Sequence, residues 1–398
     1  MTSKLEILLL AAIFVGLPDT FEGSATIDAV IYPRSHADSV GAKVTLEPFQ
    51  KITTSSARRS HSFSINKQRF LAVVSFDTQC DVYRFKASKF VLAQQVKVSN
   101  ANAAKFFEID GQYFLAIAKF VDGTQYATNS PVLKWNNATQ KFENFQKFKS
   151  IGGFDFEHFS VKSSKNEILH FLALANAYDG IKYSVNSTVY LWNASQKQFE
   201  HFQDLATEGA HHFAPIIWQG NMYLAVANYV SKSVVYKLKA DDSEFELYQS
   251  LPGTDYGSWA SVPVYMNGSL YLIDVIYEID QKYKQKSPLF VWKNNTFVVS
   301  TTIPSEGTTM MCPFTVNKGL YLVLSNYFDG NTYNIMSSVD QVQDSKTVTH
   351  MLDIATHGSY SCHTFEMNGT VMVMFSNSYD DKTTKLDSII YKVAAAEN

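Results

Sequence analysis

The most regular feature of the chain is a short apolar segment that recurs about every 50 residues. The copies read FLAVV, FLAIA, FLALA, YLAVA, YLIDV, YLVLS and VMVMF, and they begin at Phe70, Phe114, Phe171, Tyr223, Tyr271, Tyr321 and Val371. Such segments are too short for helices, and no 3.6-residue periodicity extends them. A period of this length with strand-like content predicts the blades of a β-propeller.

Each copy contains four strand-like parts in a fixed order. The first strand ends at an Asp-Gly or Asn-Gly pair, for example at residues 110–111 and 267–268, and these pairs favour a tight hairpin. The apolar segment follows as the second strand, with apolar residues on both faces. A third strand reads VLKW or VYLW, and a fourth reads FENFQKF or FEHFQDL. We therefore expect four-stranded antiparallel blades that stack face to face.

The two ends of the chain predict how the ring closes. The seventh copy stops after its third strand, at residues 389–393, whereas residues 46–52 (LEPFQKI) have the pattern of a fourth strand. An N-terminal strand that completes the last blade removes the exposed edges that an open array would have. The predicted fold is thus an all-β, seven-bladed propeller. Pro48 suits its outermost strand, where one amide can face water.

Aromatic residues are abundant, with 29 Phe, 22 Tyr and 5 Trp. A single four-stranded sheet cannot bury both of its apolar faces, so blade-on-blade stacking must stabilise the fold. We assign Trp135, Trp192 and Trp292 to this packing, in preference to sugar stacking.

The N-terminus predicts secretion. Lys4 precedes an apolar run over residues 5–17, and small residues follow at positions 23–25, a layout typical of a cleaved signal peptide. We divide the chain into a signal peptide (1–25), an N-terminal extension (26–45), the propeller (46–393) and a C-terminal tail (394–398). No other segment is long and apolar enough to span a membrane.

Six sequons for N-glycosylation agree with secretion, and none contains an intervening Pro. They lie at Asn137, Asn186, Asn193, Asn267, Asn294 and Asn368, all in predicted turns.

The charge composition argues against a nucleic-acid partner. The formal net charge is -3, and the chain has no block of basic residues of the kind that neutralises phosphates. The dipeptide Arg58–Arg59 is interpreted as a solvated turn.

The ordered combination of F-x-I-x-G-x-x-(F/Y)-L-A-V-A, a Y-K-W-like strand and F-x-x-(F/Y)-Q resembles the EAR (epitempin) repeat. The resemblance covers about residues 46–393 and is clearest in copies two to five, whereas the sixth and seventh copies are degenerate. It implies a seven-bladed propeller in an extracellular adhesion or ligand protein, with no catalytic residues to transfer.

Acidic residues follow the second strand in most copies, with Asp122, Asp179 and Asp329 in Asp-Gly pairs and Asp77 and Asp380 at similar positions. They could supply oxygen ligands to calcium, although Asp-Gly pairs also simply form turns. No other cofactor is expected.

Five histidines lie near the starts of innermost strands: His61, His158, His211, His212 and His363. They could meet at the channel mouth and bind a metal, or they could be ordinary hydrogen-bonded side chains.

The chain has three cysteines, an odd number for a secreted protein. Cys312 and Cys362 both lie nine residues before an apolar segment, so they occupy equivalent positions on neighbouring blades. Their pairing is favoured, and a Cys362–Cys80 bond is the alternative.

Three functions are compatible with these features. The favoured one is a non-enzymatic module that binds an extracellular or cell-surface protein. A carbohydrate-binding lectin is the main alternative, and a hydrolase in the central channel is the third. A hydrolase would need convergent carboxylates, and Asp155 with Glu157 in one blade is the nearest approach.

Overall fold

The computed structural model describes residues 44–395, and the predicted signal peptide and most of the N-terminal extension lie outside the described residues. The described chain forms 28 strands that assemble into seven four-stranded antiparallel sheets. In chain order the strands are β1 Val44–Ser55, β2 Ala57–Ile65, β3 Gln68–Ser75, β4 Gln79–Lys86, β5 Lys89–Val96, β6 Ala101–Ile109, β7 Gln112–Lys119, β8 Ala127–Asn136, β9 Lys141–Ile151, β10 Gly153–Lys162, β11 Ile168–Asn176, β12 Ser187–Asn193, β13 Gln198–Leu205, β14 Ala210–Trp218, β15 Asn221–Asn228, β16 Val234–Leu238, β17 Phe245–Ser250, β18 Ser258–Met266, β19 Ser269–Ile276, β20 Lys284–Lys293, β21 Thr296–Glu306, β22 Thr308–Val316, β23 Gly319–Asn326, β24 Met336–Val342, β25 Val348–Ala355, β26 Ser359–Met367, β27 Thr370–Asn377 and β28 Lys385–Ala395.

The sheets are the blades of a propeller, which confirms the predicted fold. Blade 1 is β2–β5, blade 2 is β6–β9, blade 3 is β10–β13, blade 4 is β14–β17, blade 5 is β18–β21 and blade 6 is β22–β25, each in chain order. Blade 7 combines β26, β27 and β28 with β1. Within residues 44–395 we find no helix of the length and apolarity that a membrane crossing requires.

The N-terminal strand closes the ring as predicted. β1 pairs with β28 in antiparallel register, with Leu46 opposite Val393 and Lys51 opposite Ile389. The register shifts between Pro48 and Gln50. This irregularity suits an outermost strand, because Pro48 has no amide hydrogen to contribute to the ladder.

Apolar faces of neighbouring blades form the core. The second strands are almost completely buried, so that Phe114 and Phe171 are both inaccessible to solvent. Across the interface of blades 2 and 3, Phe114 packs edge to face against Trp192 with ring centroids 5.7 Å apart. Burial of such a side chain contributes about 1.5–3 kcal/mol. Trp135 and Trp192 are buried and Trp292 is half-buried, in agreement with their assignment to packing.

Every innermost strand has a β-bulge near its start. In each blade the pairing register between first and second strand shifts at the second residue of the first strand. The seven bulge residues are Arg58, Asn102, Phe154, His211, Trp259, Thr309 and Tyr360. A bulge bends its strand and re-aims the side chains around it.

The antiparallel blades give the ring two distinct faces. The turn face carries the hairpins that join the first strand to the second and the third to the fourth. The loop face carries the loops that join the second strand to the third, together with the connections from one blade to the next. The bulge residues lie at the loop-face ends of the innermost strands.

Candidate functional site

The innermost strands of all seven blades surround a central cavity of about 430 Å³. Its charged side chains come from blades 1 to 3, whereas blades 4 to 6 contribute Pro215, Pro263 and Pro313 at equivalent positions. The cavity is therefore polar on one side and largely apolar on the other.

Asp155 is the centre of an ionic network in this cavity. The Arg59 guanidinium lies 2.7 Å from Asp155 Oδ1, and the amide of Phe213 donates to Asp155 Oδ2 at 3.3 Å. Arg59 Nη2 also donates to the carbonyl oxygen of His211 at 3.2 Å. Because Arg59 belongs to blade 1 and its partners to blades 3 and 4, these bonds connect blades that are not neighbours in the ring.

A second ion pair lies beside the first. Lys105 Nζ is 2.8 Å from Glu157 Oε2, and both side chains are largely buried. Burial raises the pKa of Glu157 to about 7, although Lys105 opposes this shift. His212 Nε2 lies 3.9 Å from Asp155 Oδ2, and burial lowers the pKa of His212 to about 4. At neutral pH this imidazole is uncharged.

One group of side chains in the cavity could in principle hold a metal ion. It consists of Asp155, Glu157 and His212, and it is the only such group of three among the residues that the structure describes. Their ligand atoms lie within 4.8 Å of one another. Arg59 already binds one oxygen of the Asp155 carboxylate, and Lys105 binds one oxygen of the Glu157 carboxylate. A metal ion would therefore compete with two internal cations for the same carboxylates.

The interpretation of Arg58–Arg59 as a solvated turn is wrong. The Arg59 side chain is only 11% exposed and belongs to the ionic network. The guanidinium of Arg58 lies over the rings of Phe76 and Tyr360, at 4.6 and 4.1 Å from their centroids. The physical reason is the bulge at Arg58, because it turns both arginines into the ring instead of into solvent.

Aromatic bulge residues cover the loop-face end of the cavity. Phe154 stacks on His211 at 3.9 Å, and Trp259 lies 5.8 Å from Phe154 and 5.9 Å from Tyr360. Trp259 belongs to blade 5, whereas Phe154 and Tyr360 belong to blades 3 and 7. Contacts between such distant blades are possible only across the axis, so these rings form a cap over the cavity.

The five predicted histidines do not converge on one site, although two of them, His61 and His363, contact each other. His61 stacks on His363 at 5.6 Å, and His363 Nε2 accepts a hydrogen bond from the amide of Ser62. His158 lies against His170, with 3.3 Å between Nε2 and Nδ1. His211 belongs to the cap and His212 to the ionic network. Burial lowers the pKa of His61 and of His211 to about 3 in each case.

The predicted acidic residues stabilise their own loops on the loop face. Asp179 Oδ1 accepts the amides of Ile181 and Lys182, and Asp329 Oδ1 accepts those of Asn331 and Thr332. Asp122 pairs with Lys119 at 3.2 Å and forms a backbone bridge to Gln125. Asp380 repeats the Asp179 pattern. Asp77 accepts from Ser55 Oγ. Calcium binding by these residues stays a prediction.

Cys312 and Cys362 form a disulfide that joins the innermost strands of blades 6 and 7, with a Cα–Cα distance of 6.0 Å. Cys80 is a free thiol that is fully buried in blade 1. The structure therefore contains the favoured Cys312–Cys362 bond and not the alternative Cys362–Cys80 bond.

The sequons are unevenly distributed between the two faces. Asn137, Asn193, Asn267, Asn294 and Asn368 lie in or beside hairpin turns of the turn face, and all except the half-buried Asn193 are exposed. Asn186 is exposed in the loop before β12, on the loop face. Glycosylation itself stays a prediction.

Sequence reasoning missed a belt of aromatic rings on the loop face. Neighbouring rings contact one another at centroid distances of 4.4–5.8 Å from blade 2 to blade 7. The belt consists of Tyr126, Tyr178, Tyr183, Tyr229, Trp259, Tyr277, Tyr283, Phe328, Tyr333 and Tyr379. A repeated signal was present, because an aromatic residue follows the second strand within two residues in all seven copies.

The comparisons with known proteins agree with this architecture. The EPTP domain family model matches residues 89–136, 198–238 and 296–339. Each matched segment starts at the fourth strand of one blade and ends in the third strand of the next. The matched unit therefore begins with a fourth strand, just as the described chain begins with β1, the fourth strand of blade 7.

Three curated relatives match this chain, and two of them carry the EAR repeat in their names. The mouse and human proteins called thrombospondin-type laminin G domain and EAR repeat-containing protein are both 28% identical to this chain over 300 residues, which is 70% of this chain. Mouse leucine-rich repeat LGI family member 2 is 25% identical over 255 residues, or 52% of this chain. In all three cases the match covers 44% of the relative, so the chain spans less than half the length of these proteins.

A solved structure titled "Structure of YjhT" aligns with 75% of this chain and 97% of its own, at 12% identity and a TM-score of 0.48. A similarity of that degree carries no information about function.

Proposed function

We propose, on the premise that this chain carries EPTP repeats and folds as an EAR-type propeller, that it is a secreted module that binds an extracellular or cell-surface protein through its loop face. The observation that carries this proposal is the difference between the two faces. Five of six sequons lie on the turn face, whereas the aromatic belt lies on the loop face. Aromatic residues are enriched at protein interfaces, and glycans would obstruct the opposite face.

Secretion is supported by three independent features of the chain. Residues 1–25 have the layout of a signal peptide, six sequons are present, and Cys312 is joined to Cys362. A disulfide of this kind forms and persists in an oxidising compartment.

The central cavity fits a structural role better than catalysis. Asp155 is only 3% exposed and is engaged by Arg59 and the amide of Phe213. Glu157 is engaged by Lys105. A general acid or nucleophile must reach its substrate, and these carboxylates are held by cations of the same ring. We therefore assign the ionic network to bracing blades 1 to 4.

Glycan wedges on the two faces test the proposal. Ser231→Asn creates an acceptor sequence in the loop after β15, on the loop face, because Lys232 and Ser233 follow it. Ile168→Thr creates one at Asn166, in a hairpin of the turn face. Binding of the secreted protein to intact cells and to extracellular matrix would be measured for both variants, with glycan occupancy determined by mass spectrometry.

We expect the loop-face glycan to abolish binding and the turn-face glycan to leave it unchanged. Loss of binding with the turn-face glycan alone would refute the proposed orientation. Saturable binding of the wild-type protein to a glycan array, with no protein captured by crosslinking on cells, would favour the lectin instead.

A further inference from the structure

Three loops of the loop face are built in the same way. In blades 3, 6 and 7 an aspartate side chain accepts the amides of the residues two and three positions later. The residue two positions after the aspartate lies at the tip of the loop, and it is Ile181 in blade 3, Asn331 in blade 6 and Lys382 in blade 7. The turn itself therefore places no demand for an apolar residue at this position.

Ile181 is the most exposed of the large apolar side chains in the described chain. It is 90% exposed, although the two hydrogen bonds to Asp179 Oδ1, each 2.8 Å, hold its loop in place. A rigid apolar tip loses little conformational entropy when a partner covers it. Solvent exposure of the same side chain gives the isolated propeller no stability.

Further apolar surface lies next to this tip. Tyr183 is 36% exposed and packs against Tyr229 at 5.8 Å, and Val230, the next residue, is 39% exposed. We call Ile181, Tyr183 and Val230 the anchor patch. Lys182 and Lys232, both exposed, follow two of its members in blades 3 and 4, and Lys232 Nζ also lies 3.6 Å from the exposed carboxylate of Asp255. The patch is therefore apolar with basic side chains at its margin.

We propose that the anchor patch inserts into an apolar recess of the partner protein, with Ile181 as the central side chain and the neighbouring Lys182 opposite a carboxylate at the rim of the recess. This inference rests on the proposed function and names the part of the loop face that contacts the partner. It follows the usual anatomy of an interface, in which a few apolar anchors are surrounded by a polar rim.

A membrane is a poorer match for the same surface. An interfacial membrane anchor normally presents an extended apolar face that enters the lipid. Here one isoleucine that is 90% exposed is accompanied by two side chains that are less than half exposed. A protein recess needs no more than this.

The test compares two substitutions of exposed apolar residues. Ile181→Thr replaces the tip of the anchor patch with a polar side chain. Leu247→Thr is the matched control, because Leu247 is 59% exposed but lies in β17, the outermost strand of blade 4. Binding of the secreted proteins to intact cells would be titrated, and urea unfolding would verify that both variants are folded.

We expect Ile181→Thr to raise the dissociation constant about tenfold or more, as the loss of an interface hot spot does. Leu247→Thr should bind like the wild type. A photoreactive phenylalanine analogue at position 181 should crosslink to the partner, whereas the same analogue at position 247 should not.

Failure of this inference differs from failure of the proposed function. If the wild type binds cells and Ile181→Thr binds equally well, the anchor patch is refuted and the proposed function stands. If the wild type binds no protein, both are refuted. Binding to vesicles of phosphatidylcholine and phosphatidylserine that depends on Ile181 would overturn the protein recess in favour of a membrane.

Discussion

The side chain of Gln50 forms two hydrogen bonds with the backbone of Phe90. Gln50 Nε2 donates to the carbonyl oxygen of Phe90 at 2.8 Å, and the amide of Phe90 donates to Gln50 Oε1 at 2.7 Å. Gln50 lies in the outermost strand of blade 7 and Phe90 in the outermost strand of blade 1. This pair therefore connects the first and last blades at the outer edge of the ring, where β1 completes blade 7.

The same contact recurs at four further blade interfaces. Its glutamines are Gln94, Gln146, Gln203 and Gln249, and each bonds both backbone groups of a phenylalanine in the next blade. The interfaces of blades 5 with 6 and of 6 with 7 have Thr301 and Leu352 at the equivalent position. The glutamine is thus an interface clamp.

Replacement of Gln50 by Ala should destabilise the propeller by about 2 kcal/mol, because two partly buried backbone groups of Phe90 would lose their partners. The free energy of unfolding would be measured in urea. Gln196→Ala is the control, since Gln196 lies in an exposed turn, and it should change stability by less than about 0.5 kcal/mol. Equal effects of the two substitutions would show that the clamp does not stabilise the ring.

Much of the fold could be predicted because each blade repeats a similar sequence pattern. The spacing of the apolar segments gave the number of blades, and the EPFQ pattern at residues 47–50 located the strand that closes the ring. The partner of Gln50 could not be predicted, because the contact uses only backbone groups of Phe90, and burial in the core alone explains why a phenylalanine recurs at this position. The pattern identified the glutamine but not its function.

Gly307 should tolerate no side chain. Its φ is +55°, and a Cβ atom would lie 1.8 Å from the carbonyl oxygen of Phe328. Its amide also donates to the carbonyl oxygen of Tyr283 at 2.8 Å, at the entry to blade 6. We expect Gly307→Ala to cost more than about 4 kcal/mol, because backbone must move to relieve the collision. Secretion yield and urea unfolding would measure this.

Gly111→Ala is the control that separates the cost of the steric collision at Gly307 from the cost of a positive φ. Gly111 has φ +71° in a hairpin turn, but a Cβ atom there would have no neighbour within 4 Å. This variant should lose only about 1–2 kcal/mol, the cost of a left-handed conformation. A normal yield of Gly307→Ala would contradict the predicted contact with Phe328.

The disulfide should stabilise an interface that has no glutamine clamp. Cys312 and Cys362 are 50 residues apart and join blades 6 and 7. For a loop of this length, the entropy of the unfolded chain predicts a loss of about 4 kcal/mol when both cysteines become alanine. Cys80→Ala, in contrast, should cost about 1 kcal/mol, as an average substitution does. Urea unfolding of the two variants would test these values. Unfolding of the wild-type protein with and without a reductant would test the disulfide directly, and equal stability under both conditions would refute the prediction.

Asp274 should make stability depend on pH. It is fully buried in β19 and accepts hydrogen bonds from Ser233, Ser258 and Ser261. Burial raises the pKa of Asp274 from 3.8 to about 6, although the serines oppose the shift. The folded protein therefore binds this proton more tightly than the unfolded chain. The resulting stability is fully present below pH 4 and is lost as the pH rises through 6.

The loss amounts to about 3 kcal/mol, because one pKa unit corresponds to about 1.4 kcal/mol. Asp274→Asn carries no titrating proton, so its stability relative to the wild type should rise between pH 4 and pH 7. Comparing the two proteins cancels the contributions of Glu157 and the histidines. A constant difference across this range would show that Asp274 is not protonated in the folded state.

The cavity was harder to predict than the ring. The sequence identified Asp155 and Glu157, but it gave no indication that Arg59 lies opposite them, because the two strands are about 96 residues apart in the chain. Only ring closure and the bulge at Arg58 bring the guanidinium to blade 3. Local sequence patterns describe single blades, whereas this ion pair depends on the whole ring.

Arg59 should therefore be essential to the cavity. Arg59→Met removes the guanidinium and leaves the Asp155 carboxylate buried beside the amide of Phe213, the neutral His212 and the carboxyl group of Glu157. Breaking a buried ion pair on one side costs about 3–5 kcal/mol. Asp155→Asn in the same background removes the uncompensated charge, so the double variant should recover most of this loss. Urea unfolding of both single variants and the double variant forms a complete cycle. If Arg59→Met is as stable as the wild type, or if the two losses simply add, Arg59 does not brace the ring across its channel.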